Sequence, residues 1–321
     1  MDLFTPIVSE SQLHANFVRT LEPNAIGVRQ VLTEWADGFV DRDNKFVREF
    51  QTTYNSCFWE LYLHAVLKRL GLSINFTHDT PDFVVRNAPM AIEAAIASHA
   101  QGDTPEWEKT FEGTTDTNLM ETYRRSIIRL SNAFMSKSTA YLTKYGQRPY
   151  MKDRSYVIAI GNYSTQDFNL LGDVPMQWLL YDIFEHKAMK KDNGAEIRLG
   201  LFNSDACTHV SAVMFSGLAT FGKARALNHT DVELLFSAIR IKNNVEPIRI
   251  VQREKSYLES LTDGLRIFVN PYASHPIDLR LFSDEGIRKF VPDPLDESMV
   301  VTCHKDGDLC MRSVTRLTHP D

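Results

Sequence analysis

A strongly apolar segment follows a long helical pattern near the middle of the chain, and this order restricts the fold more than any other feature. Residues 156–161 read Y-V-I-A-I-G, which is typical of a strand buried on both faces. Residues 118–145 precede it, and their apolar side chains recur at helical spacing. A helix that leads into a buried strand indicates a crossover and therefore some parallel pairing. The sequence thus predicts an α/β or α+β fold with a mixed central sheet flanked by helices.

The residues before this crossover predict helices and then three short strands. Residues 26–70 follow helical spacing, and the interruption D-R-D-N at residues 41–44 is expected to cap a second helix. Gly71 follows two basic residues and is typical of a helix C-terminus. Strands are then expected at residues 73–77, 82–85 and 90–97.

The second half of the chain is harder to interpret. We predict a helix at residues 174–190 and strands at residues 208–216 and 265–269. Asp306-Gly307 lies between two apolar runs, residues 299–303 and 309–314, and predicts a β-hairpin. These strands either extend the first sheet or form an appended subdomain.

Composition excludes several classes of protein. Hydrophobic residues make up 43% of the 321 positions, so we expect a folded chain of one large domain or two modest ones. No run approaches the ~18 apolar residues of a membrane span, and the first residues lack a signal-peptide pattern. We therefore expect a cytoplasmic protein without a membrane partner. The net charge of −6 lowers the expectation of tight nonspecific nucleic-acid binding, although a local basic stripe remains compatible with it.

The four cysteines do not suggest a metal site. They form no C-x-x-C pair, which argues against structural zinc. Cys303 and Cys310 flank the predicted hairpin and are close enough in sequence to approach each other. For a cytoplasmic protein we nevertheless expect reduced thiols.

Three acidic residues stand out because their surroundings are apolar. Glu60 lies within C-F-W-E-L-Y-L on a predicted helix, and Glu93 interrupts the apolar run A-I-E-A-A. Asp82 follows Pro81 at the start of a predicted strand. Carboxylates from a helix and two strands would form an oxygen-rich site that suits Mg²⁺ or Mn²⁺, phosphate oxygens and water. The residues also allow simpler interpretations: Glu93 pairs with an Arg or Lys or faces solvent at an edge, and Glu60 pairs with His64.

These residues, in the order helix, three strands, helix, strand, resemble the PD-(D/E)XK nuclease superfamily, which has the restriction-endonuclease-like fold. The block F-Q-T-T-Y-N-S-C-F-W-E-L-Y-L at residues 50–63 resembles a bacterial branch of that superfamily. The family motif is a Glu on the first helix, Pro-Asp at the second strand and Glu-x-Lys in the third. Glu60, Pro81-Asp82 and Glu93 match it, whereas Ala95 replaces the lysine. In the family this lysine orients the attacking water and stabilises charge that develops on the phosphate.

The resemblance leaves two explanations for Ala95. Either a cation from another element replaces the lysine, or the site has lost most of its activity. The candidate cations lie on the predicted helix at residues 118–145, where the ordinary interpretation is a solvated helix face. They are Lys137 and Lys144, with Arg124 and Arg125 as weaker candidates.

The resemblance implies a metal-dependent nuclease that hydrolyses phosphodiester bonds, with DNA as the favoured substrate and defence against foreign DNA as a setting. Asp82 and Glu93 would bind the metal, with Glu60 as a direct or water-mediated ligand. A homodimer is compatible, because two strands need two cuts. The alternative is a catalytically degenerate nuclease-like fold that binds nucleic acid, a nucleotide or a protein. The corresponding division is a helical extension (residues 1–45), a nuclease-like core (46–165) and a C-terminal part (166–321).

Overall fold

The computed structural model describes residues 1–108, 119–184, 189–230, 233–293, 295 and 298–317. The helices of this part are α1 (Ala15–Leu21), α2 (Ile26–Ala36), α3 (Phe46–Thr52), α4 (Tyr54–Arg69), α5 (Leu119–Ala140), α6 (Val174–Tyr181) and α7 (Phe221–Leu227). The strands are β1 (Ile74–Asn75), β2 (Phe83–Val85), β3 (Met90–Ser98), β4 (Ser155–Tyr163), β5 (Met189–Lys190), β6 (Glu196–Ile197), β7 (Ala212–Ser216), β8 (Leu234–Lys242), β9 (Glu246–Arg253), β10 (Leu265–Val269), β11 (Ile287–Pro292), β12 (Met299–Val301) and β13 (Asp308–Arg316).

One large mixed sheet organises the described residues, in the strand order β1-β2-β3-β4-β7-β10-β11-β12. β1, β2 and β3 are antiparallel neighbours, whereas β4 pairs in parallel with both β3 and β7. α5 connects β3 to its parallel neighbour β4, as the crossover pattern predicted. The predicted fold class, a mixed sheet flanked by helices, is confirmed.

Helices cover both faces of this sheet, and the alternation of side chains along β3 assigns its residues to two cores. Met90, Ile92 and Ala94 point toward the layer that contains α2, α3 and α4. Ala91 and Ala97 point toward α5 and α6. Glu93 shares the parity of Ala91 and therefore lies on the α5 side.

The helix boundaries follow the predicted signals. Asp41 accepts hydrogen bonds from the backbone N–H groups of Lys45 at 3.1 Å and Phe46 at 3.2 Å, so it caps the start of α3. Gly71 has φ of +71°, a left-handed conformation that glycine adopts without steric cost, directly after α4. Both assignments are confirmed.

Beyond residue 165, β5 pairs with β6, and the other strands divide between two larger sheets. β7, β10, β11 and β12 extend the large sheet, while β8, β9 and β13 form a three-stranded sheet in the order β13-β8-β9. The predicted hairpin around Asp306-Gly307 is wrong, because β12 pairs with β11 and β13 pairs with β8. The turn therefore connects the two sheets and does not join neighbouring strands.

The predicted helix at residues 174–190 is also wrong in its second half. α6 ends at Tyr181, because Asp182 adopts a left-handed conformation with φ of +50°. Residues 185–188 lie outside the described part, and Met189 and Lys190 form β5. Among the described helices, none is both long enough and apolar enough to cross a membrane. The four cysteines all carry free thiols.

Candidate active site

The β2–β3 pairing brings two of the predicted acidic residues together. Phe83 pairs with Ile92, so the next step of the antiparallel register places Asp82 beside Glu93. Asp82 Oδ2 accepts a hydrogen bond from the backbone N–H of Ala94 at 2.6 Å. The start of β2 is thus fixed against the middle of β3.

Lys137 supplies a cation to this pair. α5 packs on the face of β3 that carries Glu93, and Lys137 Nζ donates to Glu93 Oε1 at 2.6 Å. Glu93 is only 6% exposed, and its second oxygen, Oε2, is buried without a hydrogen-bond partner among the described residues. One carboxylate oxygen therefore forms an ion pair while the other remains available to a ligand.

Two tyrosines position the backbone of α5 at Lys137. The hydroxyls of Tyr145 and Tyr156 lie 2.8 Å apart, and the Tyr156 hydroxyl donates to the Lys137 carbonyl oxygen at 3.2 Å. Since Tyr156 is fully buried in β4, these contacts tie the helix to the sheet at the level of the ion pair.

Glu60 on α4 lies close enough to Asp82 for the two charges to interact, although α4 packs on the face of β3 opposite Glu93. Glu60 is half-buried, and the negative charge of Asp82 acts on it strongly enough to contribute to its pKa. Burial and the Asp82 charge raise the pKa of Glu60 to about 8, against the opposing charges of Arg42 and Lys137. Burial and the charge of Glu93 likewise raise the pKa of Asp82 to about 6. Glu60 and Asp82 therefore keep their protons to a higher pH than exposed carboxyl groups do.

The Lys137 ammonium stays charged in this environment. Burial alone lowers the pKa of Lys137, but the attraction of Glu93, Asp82 and Glu60 outweighs burial and leaves that pKa above its usual value. This charged amine comes from α5, and Ala95 packs against the same core as the helix.

Arg42 is a second cation of the site, which sequence reasoning missed. Its guanidinium lies 4.0 Å from Asp82 Oδ1 and also donates to the carbonyl of His78. His78 in turn stacks on Tyr150 with ring centroids 3.8 Å apart. The only signal in the sequence was the segment D-R-D-N, which we interpreted as a helix cap.

Several other candidates lie away from the cluster. Lys144 is exposed, and within the described residues it forms no ion pair with the three carboxylates. Arg124 and Arg125 pair with Glu121. The alternative Glu60–His64 pair is wrong, since His64 Nδ1 contacts the carbonyl oxygen of Trp35 at 2.8 Å.

The donor set fits a divalent cation held by few protein ligands. Within the described residues, no group of three or more His, Cys, Asp or Glu side chains has the arrangement of a metal centre. Mg²⁺, however, is usually bound through one or two carboxylates and completed by water and substrate phosphates. Asp82 Oδ1 and the unpartnered Glu93 Oε2 are two such oxygens. The residues present therefore fit a two-carboxylate site rather than a closed cage.

Comparisons of the chain with protein-family models, with curated proteins and with solved structures found no match.

Proposed function

We propose that this protein is a metal-dependent nuclease that hydrolyses phosphodiester bonds, with DNA as its substrate. One set of contacts supports the proposal: Lys137 pairs with Glu93, Asp82 lies beside Glu93 on the neighbouring strand, and the Asp82 charge acts on Glu60. The order of the elements that carry these residues is the order that the PD-(D/E)XK resemblance implies.

Asp82 and Glu93 would hold Mg²⁺ or Mn²⁺, with Glu60 as a direct or water-mediated ligand. When bound, such an ion lowers the pKa of a coordinated water and offsets charge on the phosphate. The Lys137 ammonium contacts Glu93, which supports a role like that of the family lysine: it would orient water and stabilise negative charge on phosphate oxygens. Arg42 presents a planar guanidinium suited to two phosphate oxygens at once.

The test is cleavage of plasmid and linear DNA in the presence of Mg²⁺ or Mn²⁺. We expect the wild-type protein to cut, and we expect Asp82→Ala and Glu93→Ala to abolish metal-dependent cleavage. Lys137→Ala should lower the rate by about 100-fold or more, as loss of an electrostatic catalyst does. Lys144→Ala is the matched control, because that exposed lysine lies outside the cluster and should be dispensable. Cleavage that survives both carboxylate changes would refute the proposal.

One observation favours the alternative, a nuclease-like fold that binds without cutting. The described residues offer no three-ligand metal group, and Lys137 already neutralises part of Glu93. Calorimetric titration with Mg²⁺ separates the two functions. Tight metal binding together with DNA turnover supports the nuclease, whereas absence of both leaves the binding module.

A further inference from the structure

A cleft of about 470 Å³ lies away from the acidic cluster, between α1, the first turns of α4, the N-terminus of α7 and the ends of β4 and β13. Its volume is in the range of small-ligand sites, roughly 300–1,000 Å³. None of the described residues that line it belongs to the proposed active site.

The polar centre of this cleft is the carboxylate of Glu106. Its Oε1 accepts hydrogen bonds from the side-chain amides of Asn16 at 2.9 Å and Asn55 at 2.8 Å. Both asparagines are buried, so the carboxylate is held in one orientation. Its other oxygen, Oε2, makes no hydrogen bond within the described chain. Glu106 therefore presents a fixed, charged acceptor to whatever occupies the cleft.

Tyr54 also lines the cleft. Tyr54 is 2% exposed, and its hydroxyl is buried with no hydrogen bond to any described residue. Burial raises the pKa of Tyr54, and the negative charge of Glu106 adds to the shift. The hydroxyl is therefore neutral and retains both a donor and an acceptor for a ligand.

The walls and the opening add two further kinds of contact. Aromatic rings line the cleft, among them Trp107, Phe168 and Phe221, and these present flat apolar surfaces. Arg19 and Arg316 line it as well and are exposed to solvent. Flat rings suit a planar heterocycle, and exposed guanidinium groups suit phosphate.

We propose that this cleft binds a nucleotide with a guanine-type base. Guanine places a ring N–H and an amino group side by side, and both can donate to the free oxygen of Glu106. The ring would lie against the aromatic walls, and the phosphate would reach the arginines. Adenine offers no ring N–H beside its amino group, so the fixed carboxylate favours guanine. The same chemistry is presented by a free nucleotide and by an unstacked guanine of a single strand. This inference does not depend on the proposed nuclease activity.

The experiment is calorimetric titration of the full chain with GMP, IMP and AMP, and with single-stranded oligonucleotides that contain or lack guanine. We expect saturable GMP binding, with IMP weaker by about tenfold because it lacks the 2-amino group. Free GMP binding more tightly than the guanine-containing strand identifies a nucleotide ligand, and the reverse order identifies a strand.

Two conservative variants test the residues. Tyr54→Phe removes only a hydroxyl that has no hydrogen-bond partner among the described residues, so the unfolding temperature should not change. The affinity for GMP should fall by about fivefold. Glu106→Gln keeps an oxygen that can accept from the two asparagines but replaces the free acceptor oxygen by an NH₂ donor. The affinity for GMP should therefore fall by more than about tenfold.

Lys137→Ala distinguishes GMP binding from nuclease activity. This variant should cleave DNA poorly and bind GMP with the same affinity as the wild-type protein. Absence of binding by every nucleotide and strand overturns the inference. Equal affinity for GMP, IMP and AMP, or unchanged GMP affinity in both variants, overturns it as well.

Discussion

At the scale of single residues, the folded protein disfavours the charged form of the Glu60 carboxyl group. Burial and the neighbouring Asp82 raise the pKa of Glu60 from 4.5 to about 8. Between these two values the folded protein keeps a proton that the unfolded chain has released. Stability must therefore fall as pH rises through this window, and the loss is complete above about pH 8.

This sign gives a prediction for Glu60→Gln. The variant should unfold at a higher temperature than the wild-type protein at pH 8.5, because it lacks the charge that burial disfavours, and the difference should shrink toward pH 4.5. Thermal unfolding across this pH range without divalent metal measures the effect. Glu196→Gln is the control, since that glutamate is exposed on β6 and should not change the pH dependence. A Glu60→Gln curve parallel to the wild-type curve would contradict the raised pKa.

The Glu93–Lys137 ion pair makes a second residue-scale prediction. Lys137→Met leaves the buried Glu93 carboxylate without its partner, which we expect to cost about 2 kcal/mol of unfolding free energy. This loss of unfolding free energy is smaller than the loss expected for a fully buried ion pair, because the Lys137 side chain is 29% exposed. Adding Glu93→Gln should recover about half of the loss, since no uncompensated charge remains.

Urea unfolding of the single and double variants measures this coupling as a double-mutant cycle. Lys144→Met serves as the surface control and should stay within about 0.5 kcal/mol of the wild-type protein. Additive effects of the two substitutions would show that Lys137 and Glu93 do not interact in solution.

At the scale of elements, the sequence identified the site helix but could not choose between its two lysines. Lys137 and Lys144 are seven positions apart, so a regular α-helix would place both on one face. The structure has a π-helical turn at Tyr141–Tyr145 directly after α5, and its extra residue per turn breaks the α-helical register. Lys144 consequently faces solvent. Side-chain periodicity gives no signal for such an insertion.

Elements with strong local patterns were predicted well, and elements defined by their partners were not. The apolar runs of β3 and β4 and the helical spacing of α5 gave nearly correct boundaries. The β8–β9 hairpin was missed; its buried face carries Arg240, whereas Ile239 and Ile241 are only partly buried, which is opposite to the hydrophobic pattern of the sequence. Its turn, Asn243-Asn244, has positive φ at both residues, 50° and 61°, and was the signal available.

That turn yields a prediction at the same scale. Asn243→Gly should stabilise the protein by about 0.5 kcal/mol, because glycine adopts positive φ without a side-chain clash. Asn243→Val should destabilise it by more than about 1 kcal/mol, because a β-branched residue resists that conformation. Denaturant unfolding measures both changes, with Val245→Thr at the neighbouring exposed position as control. If the Asn243→Val variant were more stable than the Asn243→Gly variant, a left-handed turn at this position would be excluded.

At the scale of the whole molecule, buried ion pairs join the small sheet to the large one. Lys223 on α7 is fully buried, pairs with Glu259, and donates to the carbonyl oxygens of Ser260 and Asp263 at 2.9 and 2.7 Å. Arg312 on β13 also pairs with Glu259. Charges buried in this way are costly unless every partner is in place, so the two sheets depend on a shared network.

Lys223→Met tests whether the two sheets unfold as one unit. Loss of the amine leaves two buried carbonyl groups and part of the Glu259 charge without a partner, so we expect a destabilisation of about 3 kcal/mol or more. The four tryptophans all lie outside the small sheet, and Trp59 and Trp178 are buried beside the large one. Tryptophan fluorescence therefore reports on the large sheet, whereas far-UV circular dichroism reports on both.

If the network couples the sheets, both signals of Lys223→Met should shift together to lower urea and remain coincident. Lys255→Met is the control, because that lysine is exposed four positions before Glu259 in the sequence and should leave both transitions in place. A dichroism change at low urea with an unchanged fluorescence transition would instead identify the small sheet as an independent unit. In that case loss of the small sheet would also remove the β13 wall of the nucleotide cleft, and GMP binding should disappear before the large sheet unfolds.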